Sequence, residues 1–347
     1  MDLRGWKIPS DGGPRIAAIG GGTGLSTMLR GLKHFSRNIT AIVTMADDGG
    51  SSGLLRKDLG MPPPGDLRNC IQALANVEPV MADLLNYRFH DGSLAGQSFG
   101  NLFLAALDGI CPSFEDAVER MNQILAVTGR VLPVTDNNVE IVAELENGTS
   151  VRGESKIFAF KKQQHCRIRR IRMEPEHPAA LPRALEAIRE ADVIILGPGS
   201  LYTSIVPNLL VDDVAQEIAN SHALRIYVAN IMTQEGETEE YTLSEHIQAL
   251  YQHGVSHMID VCLANSEPIP EEIQARYRLE NAEPIVIDSR AVRSMGIEVI
   301  CEPLAGDCST MKARHDPEKL ALAIINIIQS RCVRTWTERG VRYIREH

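Results

Sequence analysis

Two stretches of this chain combine acids, hydroxyls and glycines in spacings that could hold a phosphorylated ligand. The first is Gly20-Gly21-Gly22-Thr23-Gly24, which follows apolar Ile16 to Ile19 and runs into helix-forming Leu25 to Arg30. Without Cβ atoms the turn can be tight, and its backbone can approach a ligand closely. The helix that starts there presents unpaired N–H groups and the positive end of its dipole, which suits a phosphate. The second stretch, Asp47-Asp48-Gly49-Gly50-Ser51-Ser52-Gly53, is a loop closing the next strand, Ile39 to Thr44. An acid placed roughly 20 to 30 residues past such a turn is where a nucleotide-binding βαβ unit holds a ribose hydroxyl. The same two acids, Asp47 and Asp48, could instead hold Mg²⁺ bridging a diphosphate. The position of the third glycine in a dinucleotide fingerprint is Leu25, so the turn alone does not specify NAD. The ligand class implied is a nucleotide or a phosphorylated sugar.

Other loops could complete the site. Gly197-Pro198-Gly199-Ser200-Leu201-Tyr202-Thr203-Ser204 follows the apolar strand Asp192 to Leu196, and its Gly199 and Ser200 can form an anion cradle before a helix near Pro207. Asn230 to Thr238 follows another buried strand, so three polar loops at three strand ends point to one crevice. Asp66, Arg68 and Asn69 put a carboxylate, a guanidinium and an amide within one helical turn, with Asp66 placed to be the N-cap. Ser98 before Asn101 is a second cap or a ligand contact.

These loops need a rigid frame. Near-continuous apolar strands alternating with helices imply an α/β fold: a Rossmann-like, three-layer, doubly wound, mostly parallel sheet. Period-two segments around Asn147-Gly148 add a small β-rich insert over about 130–175, within one domain spanning 1–330. The 347 residues are 44% hydrophobic and carry a net charge of −10, which argues against a nucleic-acid surface. No run of about 18 apolar residues exists, so no membrane span is expected. Met1 to Trp6 lacks a signal-peptide pattern, and the seven cysteines are dispersed without a C-x-x-C pair. Buried thiols in the cytoplasm follow as the expectation. His253 and His257 read as ordinary core or surface residues, since Gly254 weakens a helical metal pair.

GGGTGLS, TMADDGGSSGLLR and PPPGDLRN within Ile16 to Asn76, then GQSFGNL, GPGSLYTSIVPN, NIMTQEGET and Arg314-His315-Asp316, resemble the CofD-like superfamily. The closest likeness is to its YvcK branch, the gluconeogenesis factors of bacteria, and it spans about 300 residues. The resemblance implies a Rossmann-like core with a nucleotide in the crevice. It further implies a UDP-sugar ligand of the UDP-N-acetylglucosamine type, a regulator of cell-wall growth and cell shape on gluconeogenic carbon, a regulatory protein partner and a homodimer. Enzymatic relatives instead move a phospholactyl group from a nucleotide diphosphate donor to a deazaflavin precursor, which would make Mg²⁺ a cofactor. Carried over, the ligand contacts are Gly21, Gly22, Thr23, Gly24, Asp47, Asp48, Ser52, Asp66, Asn101, Gly199 and Ser200. Tyr277 and Arg314 match positions associated with the UDP-sugar; a tyrosine ring can stack on uracil and an Arg fork can grip a diphosphate. An NAD-dependent dehydrogenase remains a third reading. Residues 331–347 exceed the resemblance: a basic, Trp-bearing extension, expected to be a surface helix that meets a partner or an anionic surface.

Overall fold

A computed structural model describes residues 8–164, 166–306, 311–337 and 340–345. Met1 to Trp6 and Cys308 therefore lie outside the described residues.

The strands are β1 (Ile16–Gly20), β2 (Ile39–Val43), β3 (Arg130–Pro133), β4 (Glu140–Leu145), β5 (Ser150–Arg152) and β6 (Ile168–Glu174). They continue as β7 (Val193–Leu196), β8 (Leu224–Val228), β9 (Val261–Asn265), β10 (Glu298–Glu302), β11 (Cys332–Thr337) and β12 (Gly340–Arg345). The helices of the first half are α1 (Gly22–Leu32), α2 (Gly50–Leu59), α3 (Gly65–Leu74), α4 (Pro79–Asn86), α5 (Phe99–Ile110), α6 (Phe114–Ile124) and α7 (Glu154–Gln164). Those of the second are α8 (Pro182–Glu190), α9 (Val206–Leu209), α10 (Val214–Asn220), α11 (Leu243–His253), α12 (Glu271–Arg278), α13 (Ser289–Ser294) and α14 (Pro317–Arg331).

Seven parallel strands form the central sheet in the order β10-β9-β8-β7-β1-β2-β3. Every residue of β1 and of β7 is buried, as a strand covered by helices on both faces must be. In register, Ile16 pairs with Ile39 on one side and with Val193 on the other. The chain winds outward from β1 through β2 to β3, returns to lay β7 beside β1, then winds the other way through β10. That reversal puts a topological switch point between β1 and β7, where ligands bind outside the carboxyl ends of open α/β sheets.

A separate three-stranded antiparallel sheet, β5-β4-β6, contains the hairpin turning at Asn147-Gly148. Arg130–Pro133 belongs to the main sheet instead, paired with β2. The expected C-terminal surface helix is not found. α14 stops at Arg331 and the tail is an antiparallel hairpin, Val333 opposite Ile344. Its β-branched Val333, Thr335, Val341 and Ile344 favour strand, and its arginines find acids at the amino ends of the main strands. Arg334 pairs with Asp11 at 2.7 Å, Arg342 with Asp192 at 2.6 Å and Arg345 with Asp260 at 2.7 Å.

No helix among the described residues is long and apolar enough to cross a membrane. Among the described residues Cys70, Cys111, Cys166, Cys262 and Cys301 are free thiols, and His253 is buried with its ring nitrogens bonded to the Ala249 carbonyl and the Ile171 N–H.

Candidate functional site

At the switch point β1 ends in Gly20, and Gly21 continues in extended backbone as the N-cap of α1, with no side chain capping the helix. Gly22 takes φ of +66°, a conformation that penalises a β-branched residue. A Cβ on Gly24 would lie 2.5 Å from the Pro198 carbonyl oxygen, so the turn and the loop after β7 touch only because Gly24 is bare.

Side chains lock the three strand-end loops together. Asn230 receives the Gly199 N–H at 3.2 Å and donates to the Gly199 carbonyl at 2.8 Å. The Ser200 hydroxyl donates to Gln234 at 2.8 Å, and that of Thr203 to Glu237 at 2.8 Å. The loop is shorter than its sequence suggests: Leu201–Ile205 already form one π-helical turn that leads into α9, so the helix does not wait for Pro207.

A cleft of about 360 Å³ opens over these loops, bounded on one wall by Gly21, Gly22, Thr23, Gly24, Gly199 and Ser200. Tyr277, Lys312, Arg314 and His315 line the same cleft. Tyr277 projects from α12 onto a satellite core of Ile231, Met232, Ile269, Ile273 and Ala305, and its hydroxyl accepts the Ala313 N–H at 3.2 Å. Lys312 and Arg314 are exposed and make no ion pair among the described residues. Burial holds His315 down to about 4 although it donates to the Ala229 carbonyl, so its imidazole is neutral at pH 7. Its Nε2 is buried and has no hydrogen-bond partner among the described residues. The sequence reading did not assign Lys312 or His315 to the site; His315 lay inside the Arg314-His315-Asp316 match, and Lys312 had only its nearness to Arg314 as a signal.

Asp47, Ser52, Asp66 and Asn101 line a second, smaller pocket of about 190 Å³. Asp66 does not cap its helix, as Pro64 holds that position and Asp66 sits in the first turn. A carboxyl buried this deeply cannot act as an exposed cap; it turns to the Gly22 N–H, joining the two pockets. Burial and the neighbouring Asp47 push Asp66 up to about 7, against the Gly22 N–H and Arg68. Ser51 and Ser52, expected in a loop, occupy the first turn of α2. Ser98 does cap α5, accepting the Asn101 N–H at 3.4 Å. The side chain of Asn101 joins Ser51 and Arg68.

The adjacent acids diverge. Asp47 accepts the Gly49 N–H at 2.9 Å and lines the small pocket, whereas Asp48 accepts the Ser155 N–H at 2.8 Å at the start of α7 and lines a different groove with Arg56 and Arg152. Glu154 is pushed up to about 9 by burial and by Asp47, Asp66, Glu237 and Asp48. No group of three or more His, Cys, Asp or Glu among the described residues is placed to hold a metal. If Mg²⁺ binds here, the hard oxygens that fit it are those of Asp47 and Asp66, with phosphate and water supplying the rest.

The family described as 2-phospho-L-lactate transferase CofD is matched over residues 16–305. A protein of Thermoanaerobacterium thermosulfurigenes named "Putative gluconeogenesis factor" is 51% identical over 317 residues, 91% of this chain and 98% of its own. The "Gluconeogenesis factor" of Bacillus subtilis (strain 168) is 47% identical, again covering 91% of this chain and 98% of its own. Among solved structures, a Bacillus halodurans protein superposes with a TM-score of 0.86 at 43% identity, covering 90% of this chain and 99% of that one.

Proposed function

This chain belongs to the CofD family, and on that premise we propose that it is a nucleotide-sugar-binding regulator, with a UDP-sugar of the UDP-N-acetylglucosamine type in the β1/β7 crevice. One observation carries the reading: the uncapped glycine turn shares one cleft with Tyr277 and with two cations, Lys312 and Arg314, that make no ion pair among the described residues. A diphosphate suits the N–H groups and cations, and the tyrosine ring suits the base. The named relatives support a role in growth on gluconeogenic carbon. On this reading the ligand state controls a regulatory protein partner that acts on cell-wall morphogenesis and cell shape, in the cytoplasm and from a homodimer. A melting scan tests it. UDP-sugar at 100 times its dissociation constant should add about 2.7 kcal/mol of stability, while NAD adds none. Stabilisation by NAD alone would sink the reading.

Asp47 beside Asp66 favours a second reading, a transferase moving a phospholactyl group from a nucleotide diphosphate donor to a deazaflavin precursor. Mg²⁺ bound there would stabilise charge on the transferring phosphoryl oxygens. Purified protein offered Mg²⁺, donor and deazaflavin decides between the two. Robust turnover removes the regulator. UDP-sugar binding indifferent to EDTA, without product, removes the transferase.

A further inference from the structure

We infer that the outward face of α4 is a contact between two copies of this chain, which pack α4 against α4 antiparallel across a two-fold axis. The ligand reading is not needed for this; the contact does supply a face for the homodimer that the proposed function names.

Helix α4 is built from residues that a globular protein normally covers. Val80, Met81, Ala82, Leu84 and Leu85 make up most of its Pro79–Asn86 span, yet only Leu85 is buried. At 3.6 residues per turn, Val80, Leu84 and Tyr87 stand at i, i+4 and i+7 on one side of the helix. That side is turned to solvent: the three are 78%, 41% and 47% exposed. This spacing is how a helix presents anchors to a partner, and an apolar stripe left bare marks a contact surface. Asp83 and Asn86 fall to one side of the stripe, as a polar rim.

The stripe is held rigidly from behind. Gln72 donates to the Ala82 carbonyl at 3.2 Å, and the Phe99 N–H donates to the Tyr87 carbonyl at 2.9 Å. The Tyr87 ring meets Phe89 edge-on with centroids 5.2 Å apart, so one anchor is an aromatic already fixed in place.

The stripe is also its own complement. Two antiparallel copies centred near Leu84 put Val80 of one against Tyr87 of the other, small against large, and the two-fold makes that contact twice. The same pairing brings exposed Glu78, just before the helix, close to exposed Arg88, just after it, at both ends. It also sets the two helix dipoles head to tail. A parallel pairing would instead bring Glu78 to Glu78 and Arg88 to Arg88. An anionic membrane is a poorer occupant, because Glu78, Asp83 and Asp91 flank the stripe.

Sedimentation equilibrium of the full chain, without added ligand, tests the contact. An interface centred on a helix of 8 residues lies at the small end of specific contacts, so monomer and dimer should exchange at about 1–100 µM. Leu84→Glu sets two carboxylates against each other at the axis and should weaken the dimer roughly 100-fold or more. Glu78→Lys places like charges together at both ends and should weaken it severalfold, more at low salt than at high. Both positions are exposed, so unchanged melting curves of the dilute variants show that the fold is retained. Leu279→Glu, at an apolar residue that is 86% exposed at the end of α12, should leave the dimer as it was. A monomer at every concentration assigns the stripe to a different protein and overturns the proposal. A dimer that Leu84→Glu leaves intact, or that Leu279→Glu weakens as much, overturns it too.

Discussion

The two ends of the central sheet treat charge in opposite ways. At the amino ends of the strands, acids and arginines are matched. Asp192 is 1% exposed and receives both the Arg15 N–H at 2.9 Å and Arg342, and Asp260 takes Arg225 and Arg345. At the carboxyl ends, charges stand apart from their complements: Lys312 and Arg314 are unpaired among the described residues, and Asp66 sits beside another acid. One end of the sheet closes the fold; the other is left unsatisfied, as a ligand site must be. Changes at the amino end should therefore move stability and leave binding alone, and changes at the carboxyl end should move binding and the pH dependence of stability.

The largest effect on stability should come from pH, through the crevice end. Asp66 and Glu154 have folded-state values raised to about 7 and about 9, above their unfolded carboxylate values. The folded chain thus binds more protons than the unfolded one, so stability falls as pH rises through these values. The melting temperature should peak under mildly acidic conditions and decline toward pH 9. Asp66→Asn should flatten the part of the decline below about pH 7. A melting temperature that climbs from pH 5 to 8 would remove this account of the buried acids.

At the amino end, Asp192→Ala strands Arg342 and the Arg15 N–H. Removing one partner of a buried pair costs about 3–5 kcal/mol, and the lower figure is expected because Arg342 still reaches solvent. The melting temperature should drop by several degrees while ligand affinity stays put. Arg314→Gln should do the reverse, cutting ligand affinity roughly 10- to 150-fold with the melting curve of the unliganded protein little changed, because Arg314 is exposed and makes no ion pair among the described residues. If each variant altered both properties, the division between the two ends would not hold.

The crevice could be anticipated from sequence because its signals are local. A glycine run at a strand end, a cis-acting cap such as Ser98 and polar loops after apolar strands depend on neighbours within a few residues. The α/β fold was legible for the same reason, through apolar runs such as Val193–Leu196. What escaped depends on distant partners. The hairpin's Arg334 meets Asp11, 323 residues away in sequence, and no periodicity announces that pairing. Asp66 looked like a cap because its position fits one, yet the glycine turn folds back over it and makes it a buried carboxyl instead.

The adjacent acids provide the smallest and sharpest contrast. Asp48 reaches Ser155 across 107 residues of sequence to cap α7, whereas Asp47 faces the pocket beside Asp66. Asp47→Asn should weaken ligand binding roughly 10- to 150-fold, the range for a lost charged hydrogen bond of about 1.5–3 kcal/mol. Asp48→Asn should leave affinity within about twofold and cost about 0.5–2 kcal/mol of stability, the usual loss when a helix start gives up its capping oxygen. Calorimetric titration beside urea unfolding separates the two effects. Equal losses of affinity would mean that both carboxylates reach the ligand, so that the start of α7 gives up Asp48 when the ligand binds. In that case Asp48→Asn should also lose its stability penalty in the liganded state, which a second unfolding curve with ligand present would reveal.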